Sequence, residues 1–177
     1  ALPKLLSLVP RLVLDADALN AIAADASLEG QLLARAGRGH VTLMTPHPLE
    51  AARLLKRSTA QVQADRIGAA TSLANRLAAV VVLKGSGSVI AAPGLTPHLN
   101  PTGNAALASA GTGDVLAGWL GGSWAQGGLD GGVDGAFAAA CATVYLHGLA
   151  AEEIQAGPLR AADLIERMHD HSGHLRA

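Results

Sequence analysis

The segment GTGDVLAG at residues 111–118 places two glycines and a carboxylate where an apolar helix is expected to start. Glycine lets the backbone approach an anion closely, and a helix start aims unbonded N–H groups at it. Gly111, Thr112 and Gly113 therefore suit an anion hole, and Asp114 beside them suits a base. Phosphoryl transfer needs that pair: donors around the moving phosphate and a proton acceptor next to the attacking hydroxyl. The structural alternative is an Asp set in a first turn because the helix dipole favours it there. That dipole also keeps Asp114 ionised and weakly basic, which suits a loose transition state with late proton transfer.

A second candidate is Lys84-Gly85-Ser86-Gly87-Ser88, directly after the apolar run VVVL. Its lysine precedes the glycines, so it is not a Walker A loop. A lysine at a strand end followed by small residues can lie along a nucleotide's ribose and phosphates; a hairpin turn with a solvated lysine is the competing reading. In Thr45-Pro46-His47-Pro48-Leu49-Glu50, two prolines fix the backbone around His47. Glu50, in the first turn of the next helix, can cap that turn or hold a hydrated cation. His47 is alternatively an ordinary loop histidine.

In Asp15-Ala16-Asp17-Ala18-Leu19-Asn20, Asp17 is the expected N-cap and Asp15 the carboxylate nearer the ligand edge. Turn chemistry alone accounts for Asn100-Pro101-Thr102-Gly103-Asn104. The other histidines, including His169, His171 and His174, show no metal-ligand spacing and read as a solvated helix face near the end of the chain.

The elements that must carry these residues alternate. Strands are expected at residues 11–15, 41–45 and 79–84, with a meander or hairpin pair through 89–92 and 95–99. Helices are expected from about 19 to 26, from Pro48 to Arg57, and over 59–78 as one amphipathic helix with Val62, Ile67, Leu73 and Leu77 inward. Further helices follow at 113–126, 135–153 and 161–171, with GGLDGGVDG at 127–135 as a helix–helix connection. Alternation of this kind predicts one α/β domain with a layered, mostly parallel sheet and flanking helices, ligands sitting at the carboxyl ends of its strands.

Composition narrows the partners. The 177 residues are 50% hydrophobic and 2% aromatic, so the core is built from aliphatic side chains and close Ala–Gly contacts, with few stacking platforms for nucleic acid. A net charge of -1 without basic runs argues against nucleic acid and anionic membranes. The apolar run 137–146 is short against the ~20 residues of a spanning helix, and the opening ALPKLLSLVPRL lacks a signal-peptide cleavage site. Cys141, the single cysteine, reads as a small buried hydrophobe. A cytoplasmic location is expected.

Taken in order, VLDADALN, TPHPLEAARLL, VVLKGSGSVI and NPTGN followed by GTGDVLAG resemble the ADP-dependent NAD(P)H-hydrate dehydratase family of the ribokinase-like superfamily, over residues 15 to about 148. The GTGD turn points only to the superfamily; DADAL together with TPHPLE points to the dehydratase branch, and His47-Pro48-Leu49-Glu50 stands for the superfamily's Asn-x-x-Glu motif. The resemblance implies ADP-dependent (or ATP-dependent) dehydration of the S epimer of hydrated NADH or NADPH, with magnesium. By the same resemblance Asp114 deprotonates the ring hydroxyl and contacts the hydrate, and His47 contacts the hydrate. Gly111 to Gly113 hold the transferred phosphate, with Gly113 also touching AMP. Lys84, Gly85, Ser86, Gly87 and Ser88 line the AMP site, Asn104 is a nucleotide-side candidate, and Glu50 supports the magnesium through water. Ala106, Ala110 and Leu49 stand where the family usually has glycine. The resemblance also implies that the chain begins partway through the domain, without its first strands, which favours pairing into a homo-oligomer. Two other readings are a ribokinase-like kinase of a small alcohol or vitamin precursor, and a catalytically silent nucleotide-binding module.

Overall fold

The runs RLVL, VTLM and VVVL become the parallel heart of a sheet because both of its faces are covered, which suits near-continuous apolar strands. The computed structural model describes residues 1–126, 132–154 and 159–174; of the connection expected at 127–135, residues 127–131 lie outside them, and 133–135 already belong to the following helix, capped by Gly132. Strands β1 (Arg11–Leu14), β2 (Val41–Met44) and β3 (Val80–Leu83) pair in parallel, with Leu14 opposite Met44 and Met44 opposite Val81. Strands β4 (Val89–Ala91) and β5 (His98–Leu99) then return antiparallel, completing the order β1-β2-β3-β4-β5. The mostly parallel sheet and its terminal hairpins match expectation.

Alternation along the strands divides the core. Met44, Val81, Leu83, Val89 and Ala91 face one layer, made by α1 (Leu2–Leu8), α2 (Ala16–Ala24), α3 (Ala26–Gly37), α4 (Pro48–Leu55), α5 (Thr59–Ala64) and α6 (Arg66–Leu77). Leu43, Val80, Val82, Ile90 and Ala92 face the other, where α7 (Thr112–Gln126) and α8 (Val133–Glu152) supply Leu116, Leu120, Trp124, Ala139, Ala140 and Val144. A third cluster joins α7 and α8 to α9 (Ala161–His174) through Val115, Ala150, Ala151, Leu164 and Met168. Cys141, half-buried beside the second cluster, is the small hydrophobe expected, and burial pushes its thiol up to about 11.

Four local expectations are corrected. Asp17 is not the N-cap of α2: the helix starts at Ala16, whose φ of 47° turns the chain sharply out of β1, so Asp15 takes the cap position and Asp17 falls in the first turn. The helix expected from about 19 to 26 runs instead over Ala16–Ala24, and a further helix, α3, not expected, starts at Ala26 where the Asp25 side chain accepts from Ser27 N. The single helix expected over 59–78 is split, because Asp65 accepts from Gly68 N and starts α6 afresh. The break rotates the pattern, leaving Ile67 53% exposed while Val62, Leu73 and Leu77 are buried. Finally, the apolar run at 137–146 lies within α8, which by length and composition alone could cross a membrane. Its buried Ala136, Ala139, Ala140 and Val144 seat it against the sheet instead.

Candidate active site

The carboxyl ends of β1, β2 and β3 come together through backbone bonds: Thr45 N donates to Leu14 O at 3.1 Å, and Lys84 N donates to Pro46 O at 2.8 Å. Three of the candidate segments, read separately in the sequence, are thus neighbours. Lys84 Nζ reaches back to Asp15 Oδ1 at 2.8 Å, both side chains being largely shielded from solvent. A Cβ placed on Gly113 would lie 3.4 Å from that same Nζ and 4.0 Å from Asp15 Oδ2. The lysine turn and the start of α7 therefore meet, with the lysine between a carboxylate and the helix start.

Gly111 makes this entry possible. Its φ of 85° belongs to the left-handed region that glycine occupies freely, and it turns the chain into α7. The first intrahelical bond runs from Val115 N to Gly111 O at 3.0 Å, so the amides of Thr112, Gly113 and Asp114 have no carbonyl within the helix to bond. Thr112 Oγ1 donates to Leu107 O (2.7 Å) or Ser109 O (2.9 Å), which fixes the turn without occupying those amides. Asp114 follows on the exposed side of the first turn.

The 84–88 turn is held from behind by Arg66, a residue that no sequence pattern singled out. Its guanidinium donates to Leu83 O at 3.2 Å, Lys84 O at 3.4 Å and Gly87 O at 3.1 Å. Burial against these carbonyls lowers the Arg66 pKa below the usual arginine value, without removing its charge. Gly85, at φ 144°, is where the guanidinium passes: a Cβ there would come within 2.6 Å of Arg66 Nη1. A ring of carbonyls converging on one arginine was invisible in sequence because backbone atoms carry it.

Between the lysine turn and α7 lies a cavity of about 430 Å³, lined by residues 84–88, the 100–105 loop, Thr112, Gly113, His147 and Gly148. That volume falls within the ~300–1,000 Å³ of small-molecule and cofactor sites. The NPTGN loop, expected to be turn chemistry alone, is thus also cavity wall. Asn104 is in that wall, but its amide is already engaged: Oδ1 accepts from Ala106 N at 2.9 Å and Nδ2 donates to Ala151 O at 3.2 Å. His147, which the sequence patterns do not mark as functional, is 6% exposed and bonds Thr112 O at 2.9 Å.

His47 and Glu50 form a reciprocal cap on α4. His47 Nδ1 accepts from Leu49 N at 3.1 Å, and Glu50 Oε2 accepts from His47 N at 2.8 Å. Glu50 Oε1 lies 3.3 Å from His47 Nε2, so both oxygens of this buried carboxylate are committed to the histidine. Of the two roles expected for Glu50, capping is the one its contacts fill. His47 itself keeps a partly exposed ring on the loop beside Lys84. Leu49 is exposed, and Ala106 packs on the α7–α9 cluster.

Among the described residues no three His, Cys, Asp or Glu side chains converge as a metal cage. Magnesium needs no such cage when a nucleotide supplies phosphate oxygens and the protein one or two carboxylates. Asp15, beside Lys84 and Gly113, and Asp114, in the first turn of α7, supply carboxylates for that lesser demand.

A family profile described as NAD(P)H-hydrate dehydratase matches residues 3–171. The chain belongs to that family. The ADP-dependent (S)-NAD(P)H-hydrate dehydratase of Neisseria meningitidis is 46% identical over 153 residues, covering 86% of this chain and 48% of that one. The Bacillus subtilis ADP/ATP-dependent NAD(P)H-hydrate dehydratase, co-crystallised with ATP and magnesium, superposes with a TM-score of 0.74 at 33% identity, over 93% of this chain and 55% of that one. An Enterococcus faecalis protein of the ribokinase-like superfamily, at 22% identity, has the same fold, with a TM-score of 0.73 over 97% of this chain and 58% of that one. The expected ribokinase-like architecture is therefore present, and the chain spans about half the length of these relatives.

Proposed function

We propose that this chain dehydrates the S epimer of hydrated NADH or NADPH at the expense of ADP, restoring the reduced cofactor and releasing AMP and phosphate. ATP serves as the alternative donor, as the name of the Bacillus relative suggests. The observation that carries the reading is the meeting of Lys84 Nζ, the Asp15 carboxylate and the backbone of Gly113 at the mouth of a nucleotide-sized cavity.

In this scheme AMP occupies the cavity against residues 84–88, with Asn104 in the wall and Gly113 at the phosphate end. The free amides at Thr112 and Gly113, together with the Gly111 turn, bind the phosphoryl group as it moves, and Lys84 offsets its charge. Asp114 accepts the proton of the ring hydroxyl while that oxygen attacks phosphorus. The phosphorylated oxygen then leaves as phosphate, the neighbouring ring carbon loses a proton, and the double bond of NAD(P)H is restored. His47 contacts the hydrate, and Glu50 holds His47 in place. A magnesium ion carried by the nucleotide offsets the charge on the phosphate oxygens.

Hydrated NADH with ADP and magnesium is expected to yield NADH absorbance and AMP in equal amounts. Asp114→Asn is expected to slow turnover about 10²–10⁴-fold, the usual contribution of a positioned acid or base, while ADP still binds. AMP and NADH failing to appear together would refute the reading. Phosphorylation of a small alcohol by ATP, with the hydrate untouched, would replace it with a kinase activity. We further propose a cytoplasmic homo-oligomer without nucleic-acid or membrane partners: the charge is nearly balanced, and β1 and β5 are open sheet edges.

A further inference from the structure

The buried imidazole of His147 has no place in the scheme above. It stands on α8 at 6% exposure, lines the cavity, and brings Nε2 to 2.9 Å from the Thr112 carbonyl oxygen. A carbonyl oxygen only accepts, so the proton is on Nε2. Burial lowers the pKa of the ring, against the Thr112 bond that raises it, and the Lys84 charge adds to the lowering, so the neutral imidazole is favoured.

The bond acts on the peptide that matters. The Thr112 carbonyl and the Gly113 N–H belong to one planar trans unit, so their directions are opposed and fixing one fixes the other. A hydrogen bond accepted at the carbonyl also polarises the peptide and makes its N–H a stronger donor. Gly113 is the residue whose backbone lies beside Lys84 at the cavity mouth. On the Thr112 side, Oγ1 is tied to the carbonyls of Leu107 and Ser109, and the Thr112 carbonyl faces Leu116 N in the ladder of α7, so His147 adds a second donor to a carbonyl the helix already orients.

We propose that His147 is a positioning residue for the nucleotide's phosphate, holding the Thr112 carbonyl so that the Gly113 N–H is aimed at the anion and strengthened as a donor. The inference rests on the nucleotide reading of this cavity but not on the reaction carried out there. The test compares ADP with adenosine, which lacks the phosphate, by calorimetric titration of wild-type protein, His147→Phe and His147→Gln. The Phe variant keeps the ring's bulk and removes the donor; the Gln amide nitrogen replaces Nε2. His147→Phe is expected to weaken ADP about three- to tenfold, the loss of one modest hydrogen bond, with adenosine changed less than twofold. His147→Gln is expected to recover most of the ADP affinity. Equal weakening of both ligands, or unchanged ADP affinity in the Phe variant, overturns the proposal. Where the Phe variant fails to fold, ¹⁵N spectra of the wild-type imidazole decide: an Nε2–H tautomer over about pH 6 to 8 supports the role, and an Nδ1–H or charged ring overturns it. A wild-type chain that binds ADP without dehydrating the hydrate would refute the proposed reaction alone, and the two ligand titrations would still judge His147.

Discussion

Gly148→Ala sets two effects of opposite sign against each other. Gly148 lies inside α8, where replacing glycine by alanine normally favours the helix by about 1 kcal/mol. Here the new Cβ would lie 2.2 Å from Thr102 Oγ1, 2.6 Å from the Thr102 carbonyl carbon and 2.8 Å from Gly103 N. Two of those three atoms are backbone, so no rotamer change relieves the overlap, and the loop has to retreat toward a normal separation of roughly 3.5–4 Å. Retreat stretches the bonds that hold the loop on α8: Thr102 Oγ1 to Tyr145 O at 2.8 Å and Gly103 N to Glu152 Oε1 at 2.7 Å. Overpacking costs about 1–3 kcal/mol and each of the two weakened bonds about 1 kcal/mol, against the ~1 kcal/mol gained, so the net loss is about 2–4 kcal/mol. At roughly 2–4 °C per kcal/mol for a chain of this size, thermal denaturation should show a midpoint several degrees lower. Gly118→Ala is the control: it lies in α7 with nothing within 4 Å of its Cβ, and should raise the midpoint by a degree or more. ADP titration should show weakening in Gly148→Ala only, because the displaced loop lines the cavity. A Gly148→Ala variant that gains stability as Gly118→Ala does would refute the close-approach argument.

Lys84→Met is expected to weaken ADP about 10- to 100-fold, the value of a charge-assisted contact to phosphate, by calorimetry. Adding Asp15→Asn to Lys84→Met should cost stability less than Asp15→Asn alone costs the wild type, because the 2.8 Å partner is already gone; strictly additive melting shifts would contradict the pairing. Arg66→Met should loosen the 84–88 turn and speed amide exchange there while the strand amides of β1 stay protected; uniform acceleration across the sheet would contradict its role as a local clamp. For Cys141, raised from 9.0 to about 11, alkylation at pH 8 should run about 100-fold slower in the folded protein than after denaturation, since only the thiolate reacts. Equal rates would show the thiol to be more accessible than its half-buried position implies.

How much of this was legible beforehand follows from what kind of atom carries each feature. Side-chain periodicity marked β1 to β4, and α4 and α7 to within a few residues, because alternating and 3.6-residue patterns are written in side chains. The break at Asp65 was missed, since a capping carboxylate within a continuous apolar pattern looks like a surface residue of one longer helix, and α3, capped by Asp25, was not expected at all. Helix α1, a single seven-residue segment, is too short for its period to register. At the site, Lys84 and Gly113 were found by type and spacing, and their adjacency follows from the rule that ligands gather at strand carboxyl ends. Asp15 was expected near that edge, but not as the lysine's partner. Arg66 and His147 were missed for a common reason: both act on backbone carbonyls, and a carbonyl leaves no trace in the choice of residue.

That same backbone chemistry calls for a small residue where the 100–105 loop meets α8. The cavity wall is backbone laid against α8: Thr102 bonds the Tyr145 carbonyl and Asn104 bonds the Ala151 carbonyl. Those carbonyls can be reached only where the helix surface is thin, and Gly148 supplies that surface beside Thr102 and Gly103. The Ala151 carbonyl is in the last turn of α8, where no intrahelical partner exists, so the Asn104 bond satisfies the helix end and fixes the loop together. A helix armoured with Leu or Phe here would bury more apolar area yet hold the loop a side chain's length away. A small residue at position 148 is therefore a requirement of the cavity wall as much as of the helix.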